Sequence, residues 1–294
     1  MEGKELLKGY IFVVLSALLF GLMPLIAKNI YKDGVDPESL VFLKNLISVP
    51  CLFILALLSG KPIRIKADAI PQMFFMALMG CCITPLLLFI SYKYIPSGTA
   101  TVFHFIFPAA VVLGEFVFLK NKISIWQLLS VGICIIGIAM FYNPGNSINF
   151  KGSACALLSG IAYAVYIICL SGFKYKELSG ITFSLYVAVF SSVIMVFAFL
   201  FLKGLTFPVS FTGWLLVLLL STVLNVGAVV MFQKGTLIIG GTRSSVLSAF
   251  EPVTSIMAGA LVFGERITFF SLLGSVLVIA AGVLIAVNDS KKIQ

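Results

Sequence analysis

The sequence predicts an all-α polytopic membrane protein, with ten transmembrane helices arranged as two inverted five-helix repeats. Of the 294 residues, 61% are hydrophobic and 11% are charged, whereas soluble domains are about 45 to 50% apolar and about 25% charged. Ten apolar runs are each close to the length of about 20 residues that a helix needs to cross a bilayer. The two halves of the chain also match each other at a nearly constant offset. This composition excludes a soluble globular protein.

Glycine, proline and charged residues divide the apolar runs into ten predicted spans. The predicted spans are 10–29, 37–59, 70–93, 97–119, 124–142, 152–172, 178–202, 211–237, 241–263 and 268–287. The third and fourth spans are separated only by Tyr94, Ile95 and Pro96, where the proline favours a turn. The first run is longer than the apolar region of a signal peptide, so we expect it to be retained as a span.

The basic residues predict the orientation of the chain. With the N-terminus in the cytoplasm, 13 of the 20 Lys and Arg residues fall in cytoplasmic segments, six fall in outer segments, and Lys44 lies within a span. Cytoplasmic loops of membrane proteins carry such an excess. We therefore expect a multi-pass protein of the cell membrane with both termini in the cytoplasm. The net charge of +9 is scattered over short loops, which argues against a nucleic-acid partner.

An internal repeat is visible when the chain is compared with itself. An offset of 143 residues places Gly9 on Gly152, and an offset of 144 places Pro108 on Pro252. Weak internal symmetry of this kind is a signature of transporter folds. Because each unit has five helices, which is an odd number, the second unit must be inverted. The predicted repeats are residues 1–145 and 146–294.

Three segments resemble signatures of the EamA-type drug/metabolite transporters. They are FGLMPLIAK at 20–28, YKYIPSGTA at 92–100, and the pair EP at 251–252 followed by FGER at 263–266. The resemblance covers nearly the whole chain and implies a ten-helix secondary carrier of small organic metabolites. It also implies a central cavity, with the fifth and tenth helices at the periphery. The chain departs from the family pattern at Phe20, where many relatives carry Trp, and at Lys44, where many carry Arg.

Glu251 is the first candidate for a functional site. A charged side chain at the centre of a membrane helix costs about 2.5 to 3.5 kcal/mol on insertion scales, so its presence needs a reason. Glu251 lies near the middle of the ninth span, where the sites of carriers tend to lie. Ser244 and Ser248 share a helical face with it. We expect this face to bind substrate and Glu251 to couple protons; the alternative is a carboxyl group that pairs with a neighbouring helix.

Three further ionisable residues lie inside predicted spans. His104 is the only histidine and can titrate near neutral pH, so it is a second candidate for substrate binding and proton coupling; alternatively it is a hydrogen-bonded interior residue. Glu115 lies close to Lys120 and is expected to extend to the inner membrane interface. Lys44, about two turns from the outer end of its span, either binds substrate or reaches the outer interface.

Neutral residues in the middle of spans complete the predicted site. Tyr163 and Tyr166 share one helical face, and Asn225 lies in the eighth span. An aromatic wall suits an organic ligand, although a tyrosine inside a helical bundle is more often a packing residue.

Three prolines inside spans are candidate hinges: Pro24, Pro108 and Pro252. A proline inside a helix frees a backbone carbonyl group, which suits bending and a polar cavity wall. The alternative is a static kink.

The function predicted from the sequence is secondary active transport of small organic metabolites by alternating access, with export of amino acids or related compounds. The chain has no phosphate-binding loop, and a single histidine cannot form an HExxH zinc motif. No cofactor and no metal are expected, and the six cysteines are interpreted as packing residues. Protons are a candidate coupling partner, and the protein is expected to be a monomer or homodimer. The alternatives are an intramembrane enzyme that uses His104, Ser248 and Glu251, and a facilitative uniporter or channel.

Overall fold

The computed structural model describes residues 2–60, 62–95, 97–120, 122–140, 149–175, 178–199, 204–263 and 269–290. The helices in chain order are α1 (Glu2–Lys32), α2 (Pro37–Leu58), α3 (Ile70–Met76), α4 (Thr84–Ser91), α5 (Ser97–His104), α6 (Phe107–Phe118), α7 (Ile125–Ala139), α8 (Phe150–Ser171), α9 (Gly180–Phe199), α10 (Phe211–Leu219), α11 (Ala228–Ile239), α12 (Gly241–Leu247), α13 (Phe250–Phe263) and α14 (Phe269–Ser290). π-Helical segments join α3 to α4 at Ala77–Ile83 and α10 to α11 at Leu220–Gly227.

These helices follow the predicted spans closely. Within the described ranges, seven helical stretches are long and apolar enough to cross a membrane: Lys4–Lys32, Pro37–Leu58, Ala67–Ser91, Phe150–Ser171, Gly180–Phe199, Phe211–Ile239 and Gly241–Val262. The other three predicted spans contain the shorter apolar helices Phe107–Phe118, Ile125–Gly137 and Leu272–Ala281. The all-α membrane fold is therefore confirmed, while the total of ten crossings stays a prediction at these three places.

The distribution of polarity is that of a protein in lipid. Large apolar side chains such as Leu58, Phe118 and Leu261 lie exposed on the outside of the bundle. Polar side chains such as Asn225 and Gln233 lie buried inside it. In a bilayer the outer surface faces hydrocarbon, so a polar group gains nothing by facing outwards and is retained inside, where it finds partners.

The two halves are interrupted at corresponding places. The π-helical segment at 77–83 recurs 143 residues later at 220–226, within Leu220–Gly227. The break between α5 and α6 likewise recurs as the break between α12 and α13. Pro108 is the second residue of α6 and Pro252 is the third residue of α13, so both lie in the first turn, where a helix needs no N–H donor. The expected bend at these two prolines is therefore an interruption of the helix just before them, while Pro24 lies inside the unbroken α1.

Helix packing repeats the same symmetry. Helix α1 packs against α11 and α13, and its counterpart α8 packs against α4, α5 and α6. Helix α2 packs against α9, and α7 packs against α14. Corresponding helices thus exchange partners between the repeats, as expected around a pseudo-twofold axis. The pair α7 and α14 meets the rest of the bundle less extensively, in agreement with the expected peripheral position of the fifth and tenth helices.

The matched glycines of the two repeats have matched surroundings. A Cβ atom on Gly9 would lie 2.6 Å from Ile239, and one on Gly152 would lie 2.9 Å from Ile95. Real Cβ atoms do not approach other atoms this closely, so each glycine allows the first helix of its repeat to contact the partner repeat. The sequence match at an offset of 143 therefore has a packing reason. The motif at 264–266, Pro96, and the C-terminal lysines at 291–292 lie outside the described residues.

Candidate functional site

One central cavity brings together six of the eight substrate-binding candidates. It lies between the two repeats and encloses about 720 Å³ of empty space, including its open mouth. The first repeat contributes Lys44 and His104 to its wall, and the second repeat contributes four candidates: Tyr163, Tyr166, Asn225 and Glu251.

Lys44 is held by amide groups at the wall of the cavity. Its side chain is only 3% exposed, and its Nζ donates to Oδ1 of Asn225 at 3.1 Å and to Oδ1 of Asn45 at 3.3 Å. Within the described part of the chain, no carboxylate forms an ion pair with this ammonium group. The alternative in which Lys44 extends to the outer membrane interface is therefore wrong.

The π-helical segments supply backbone acceptors around this lysine. The Asn45 amide donates to the carbonyl of Cys81 at 3.0 Å, and the Ser48 hydroxyl lies 2.9 Å from the carbonyl of Ser221. Both carbonyls belong to π-helical segments, where the regular hydrogen-bond ladder is interrupted. Ser48 also accepts from Nδ2 of Asn225 at 3.0 Å. The result is a polar contact that holds α2 against the second repeat.

An aromatic cluster forms another wall of the cavity. The Tyr163 ring stacks on Tyr166 and Phe232, with ring centroids 5.9 and 5.7 Å apart. It also packs against His104, at 5.5 Å, and edge-on against Phe107, at 4.8 Å. Such arrangements are the favourable ones for rings with a quadrupole. The cluster combines a flat apolar surface with the polar edges of an imidazole and two phenols.

Tyr166 is anchored at its hydroxyl end. Gln233 donates from Nε2 to the Tyr166 hydroxyl oxygen at 3.1 Å, and the Ser184 hydroxyl donates to Oε1 of the same amide. Tyr166 is 3% exposed. Its ring therefore has a fixed position, and it serves packing as well as cavity lining.

The hydrogen bonds of His104 define its tautomer. Nδ1 lies 2.8 Å from the Ser159 hydroxyl, and that hydroxyl donates its single proton to the carbonyl of Ala156 at 2.6 Å. Because the hydroxyl proton is already used, Nδ1 must be the donor of the bond to Ser159. In the neutral ring Nε2 is then a proton acceptor, and the imidazole lines the cavity. This arrangement leaves one nitrogen able to take up a proton.

Glu251 lies at the break between α12 and α13. It is the second residue of α13, 8% exposed, and it lines the cavity. Among the described residues, no donor is bonded to its carboxylate and no cation pairs with it. The positive end of the α13 dipole favours a negative charge at this position, while burial opposes it. The carboxyl group is therefore available to a ligand or a proton.

Ser244 and Ser248 are not part of the cavity wall. Both are buried in α12 or at its end, and their hydroxyl groups donate to the carbonyls of Gly240 and Ser244, at 2.7 and 2.9 Å. Bonding to the carbonyl four residues earlier satisfies a serine inside a helix without any external partner. Their shared face with Glu251 is lost because the helix is interrupted at 248–249.

Glu115, which is expected from the sequence to extend to the inner membrane interface, has a buried carboxylate that contacts α12. It is 5% exposed, and it accepts from the N–H of Gly241 at 3.2 Å and from the Thr242 hydroxyl at 2.7 Å. These groups belong to the first turn of α12, whose N–H groups have no partner within the helix. A carboxylate is a favourable cap at such an end. The partners of this carboxylate are therefore the N-terminal groups of α12.

Several residues that line the cavity have no local pattern in the sequence that marks them as site residues. Gly80, Cys81 and Thr84 line the cavity beside Phe232, and the first two lie in the π-helical segment at 77–83. The offsets of 143 and 144 that pair the repeats place Asn225 on Cys82 and Cys81. The internal symmetry is therefore the signal in the sequence that could have identified this segment.

An all-helical membrane fold with a cavity between its two repeats is typical of an integral multi-pass membrane transporter for a small-molecule substrate. The sequence model of the EamA-like transporter family matches residues 7–143 and again residues 150–287. The chain belongs to this family, and the resemblance seen in the sequence is confirmed.

Curated relatives and a solved structure agree with this assignment. The chain is 24% identical to an uncharacterized inner membrane transporter, YicL, of Salmonella typhimurium, with 97% of each chain covered. It is 23% identical to an uncharacterized transporter, YcbK, of Bacillus subtilis, with 92% of this chain and 90% of that protein covered. A crystal structure with 15% sequence identity matches with a TM-score of 0.79 over 98% of both chains, which shows the same fold.

Proposed function

We propose that this protein is a secondary active transporter that exports amino acids or related small organic compounds by alternating access. The observation that carries the proposal is the meeting of an ammonium group, at Lys44, and a carboxyl group, at Glu251, in one central cavity. Neither group forms an ion pair with another described residue. Membership of a transporter family supports the same activity. The direction of transport, the class of substrate and the alternating-access mechanism are proposals.

The charges of the cavity suit an amphoteric substrate. Lys44 would bind a carboxylate of the ligand, and Glu251 would bind an ammonium group. Charged groups in a low-dielectric site interact more strongly with a partner than they do in water. The rings of Tyr163, Tyr166 and Phe232 would contact the organic side chain.

We assign proton coupling to Glu251 and His104. Glu251 has no hydrogen-bond donor among the described residues, His104 has an acceptor nitrogen, and both line the cavity. A proton on either group would alter how a charged substrate binds. Ionisable residues inside membrane proteins commonly serve as proton relays. The hinges in this scheme are Pro24 and the helix breaks before Pro108 and Pro252.

A transport screen tests the proposal. The purified protein is placed in liposomes, and the accumulation of labelled amino acids is measured with and without a pH gradient. We expect accumulation of at least one amino acid only when the gradient is present, and downhill exchange without it. A facilitative uniporter would equilibrate the substrate equally in both conditions. Recovery of chemically altered substrate would contradict transport and favour an enzyme.

The enzyme alternative lacks its predicted arrangement. His104 bonds to Ser159, and the Ser248 hydroxyl donates to the carbonyl of Ser244. A serine nucleophile needs a base within hydrogen-bond reach. The expected pair of His104 and Ser248 is therefore not assembled.

The proposed location is the cell membrane, with both termini in the cytoplasm. In this orientation Arg64 is cytoplasmic and Lys93 is external. After removal of the native cysteines, a cysteine at Lys93 should react with an impermeant thiol reagent on intact cells, and one at Arg64 should be protected. The reverse pattern would contradict the orientation.

A further inference from the structure

The two ends of the bundle differ at positions that the internal symmetry makes equivalent. An offset of 143 places Gly241, at the start of α12, on Gly98, in the first turn of α5. A Cβ atom on Gly241 would collide with Oε1 of Glu115 and lie 3.1 Å from Ile167. A Cβ atom on Gly98 would meet no described residue within 4 Å. The start of α12 is therefore tightly packed, whereas the described residues make no such contact with the equivalent start of α5.

The tightly packed end is held by a carboxylate that the other repeat lacks. Glu115, on α6, accepts from the N–H of Gly241, from the Thr242 hydroxyl and, at 3.4 Å, from the Thr242 N–H. The offset of 144 lays Glu115 on Gly259. The second repeat therefore has no carboxyl group at that sequence position, and a glycine there cannot form the equivalent contact with α5.

We propose that the Glu115 contact with Gly241 and Thr242 is a latch that sets the resting state of the transport cycle. An inverted-repeat carrier alternates by exchanging equivalent contacts at its two ends. The Glu115 contact is charge-assisted, and the opposite end of the bundle has no carboxyl group at the equivalent position. The state in which the Glu115 end is closed is therefore favoured over the state in which the opposite end is closed. With both termini cytoplasmic, the latched end is the inner one, and the resting cavity is open towards the outside. This inference rests on the proposed alternating access.

The chemistry of the latch makes it reversible. Each of its bonds joins the first turn of one helix to a carboxylate on another helix, so it can break without a change in either helix. Arg243, the residue after Thr242, lines the same pocket as Glu115. When the latch opens, water can hydrate the carboxylate, which limits the cost of opening.

The test is a distance measurement that needs no substrate. In a chain without its native cysteines, spin labels are placed at Lys120, just after α6, and at Ile238, in the last turn of α11. Both positions are exposed. The distance between the labels reports how far the end of α6 lies from the chain that leads into α12. Pulsed electron spin resonance in lipid nanodiscs gives the distance distribution. We expect a dominant short distance in the parent. In Glu115→Gln the ratio of long to short distances should rise about tenfold, which corresponds to about 1.4 kcal/mol.

Two further variants separate the latch from a general effect of mutation. Thr242→Val removes only the hydroxyl bond and should shift the distribution in the same direction by less. Glu5→Gln, which removes an exposed carboxylate elsewhere, should leave the distribution unchanged. An unchanged distribution in both Glu115→Gln and Thr242→Val would overturn the latch.

The latch and the proposed function can fail separately. If the distribution shifts in Glu115→Gln but the parent transports no amino acid in the liposome screen, the latch stands and the proposed function fails. If the parent transports an amino acid but the distribution does not shift, the proposed function stands and the latch fails.

Discussion

The ammonium group of Lys44 lies 3.1 Å from Oδ1 of Asn225, a residue 181 positions later in the chain. The contact joins α2 to the π-helical segment of the eighth span, and it crosses between the two repeats. The amide oxygen replaces part of the hydration that a charged lysine loses on burial. An amide is neutral, so this contact leaves the ammonium group able to bind an anionic group of a ligand.

Removing the charge of Lys44 should weaken substrate binding. We expect Lys44→Gln to raise the apparent substrate constant about ten- to a hundredfold, since hydrogen bonds to charged groups contribute about 1.5 to 3 kcal/mol. Counterflow in liposomes, with the substrate found by the screen, measures the effect. Lys93→Gln removes an equal charge at an exposed position and should not change it. Equal constants in parent and Lys44→Gln would exclude Lys44 from the substrate site.

Removing a titratable group from the cavity should uncouple transport. In Glu251→Gln or His104→Gln we expect loss of gradient-driven accumulation, while downhill counterflow stays measurable, because only the proton step is lost. Accumulation and counterflow are measured on the same liposome preparation. Glu5→Gln is the matched control. If both cavity variants concentrate substrate as well as the parent does, neither residue carries the coupling proton.

Tyr166 should affect stability as well as transport. Tyr166→Ala removes a buried ring and leaves the Gln233 amide without its hydroxyl partner, and truncation of a core aromatic costs about 3 to 5 kcal/mol. We expect a clear drop in the thermal midpoint in detergent. Tyr166→Phe keeps the ring and should lower the midpoint much less. A parent-like midpoint for Tyr166→Ala would show that the ring serves the ligand alone.

Gly241 lies in close contact with the carboxylate of Glu115. A methyl group at this position would collide with the carboxylate, and overpacking typically costs about 1 to 3 kcal/mol. We expect Gly241→Ala to lower the thermal midpoint. Gly132→Ala is the matched control, because a Cβ atom there meets no described residue within 4 Å, and it should leave the midpoint unchanged or raise it slightly. Equal midpoints in the two variants would contradict a tight contact.

Asp33 should make stability depend on pH. Its carboxylate accepts from the Ser210 N–H at 3.0 Å, and this bond holds the pKa of Asp33 below its usual range. A lowered pKa in the folded state stabilises the fold above the unfolded pKa of about 3.9, and this contribution is lost as the pH falls through the folded value.

The variant that tests this dependence is Asp33→Asn. We expect it to lower the thermal midpoint at about pH 7 and to have a smaller effect at about pH 3. Asp68→Asn, at an exposed position, should show no such difference between the two pH values. A constant effect of Asp33→Asn over this range would mean that the charge of Asp33 does not contribute.

Local patterns in the sequence were enough to predict the class of fold, the internal repeat and six of the residues that line the cavity. Hydropathy and helical period are properties of neighbouring residues, so they predicted the helical spans, although α1 begins at Glu2, eight residues before its predicted start. The cost of placing a charge in hydrocarbon made Lys44, His104 and Glu251 candidates from the sequence alone. The match of Gly9 with Gly152 predicted two units with equivalent packing.

The partners of these residues, and the places where helices are interrupted, follow from the three-dimensional arrangement of distant segments. Glu115 caps a helix 126 residues away, and Lys44 binds an amide in the other repeat. Ser248 does not reach the cavity wall because it lies in the break between α12 and α13. Such choices depend on which groups of distant segments approach within hydrogen-bond distance, and a one-dimensional pattern of polarity does not contain that information.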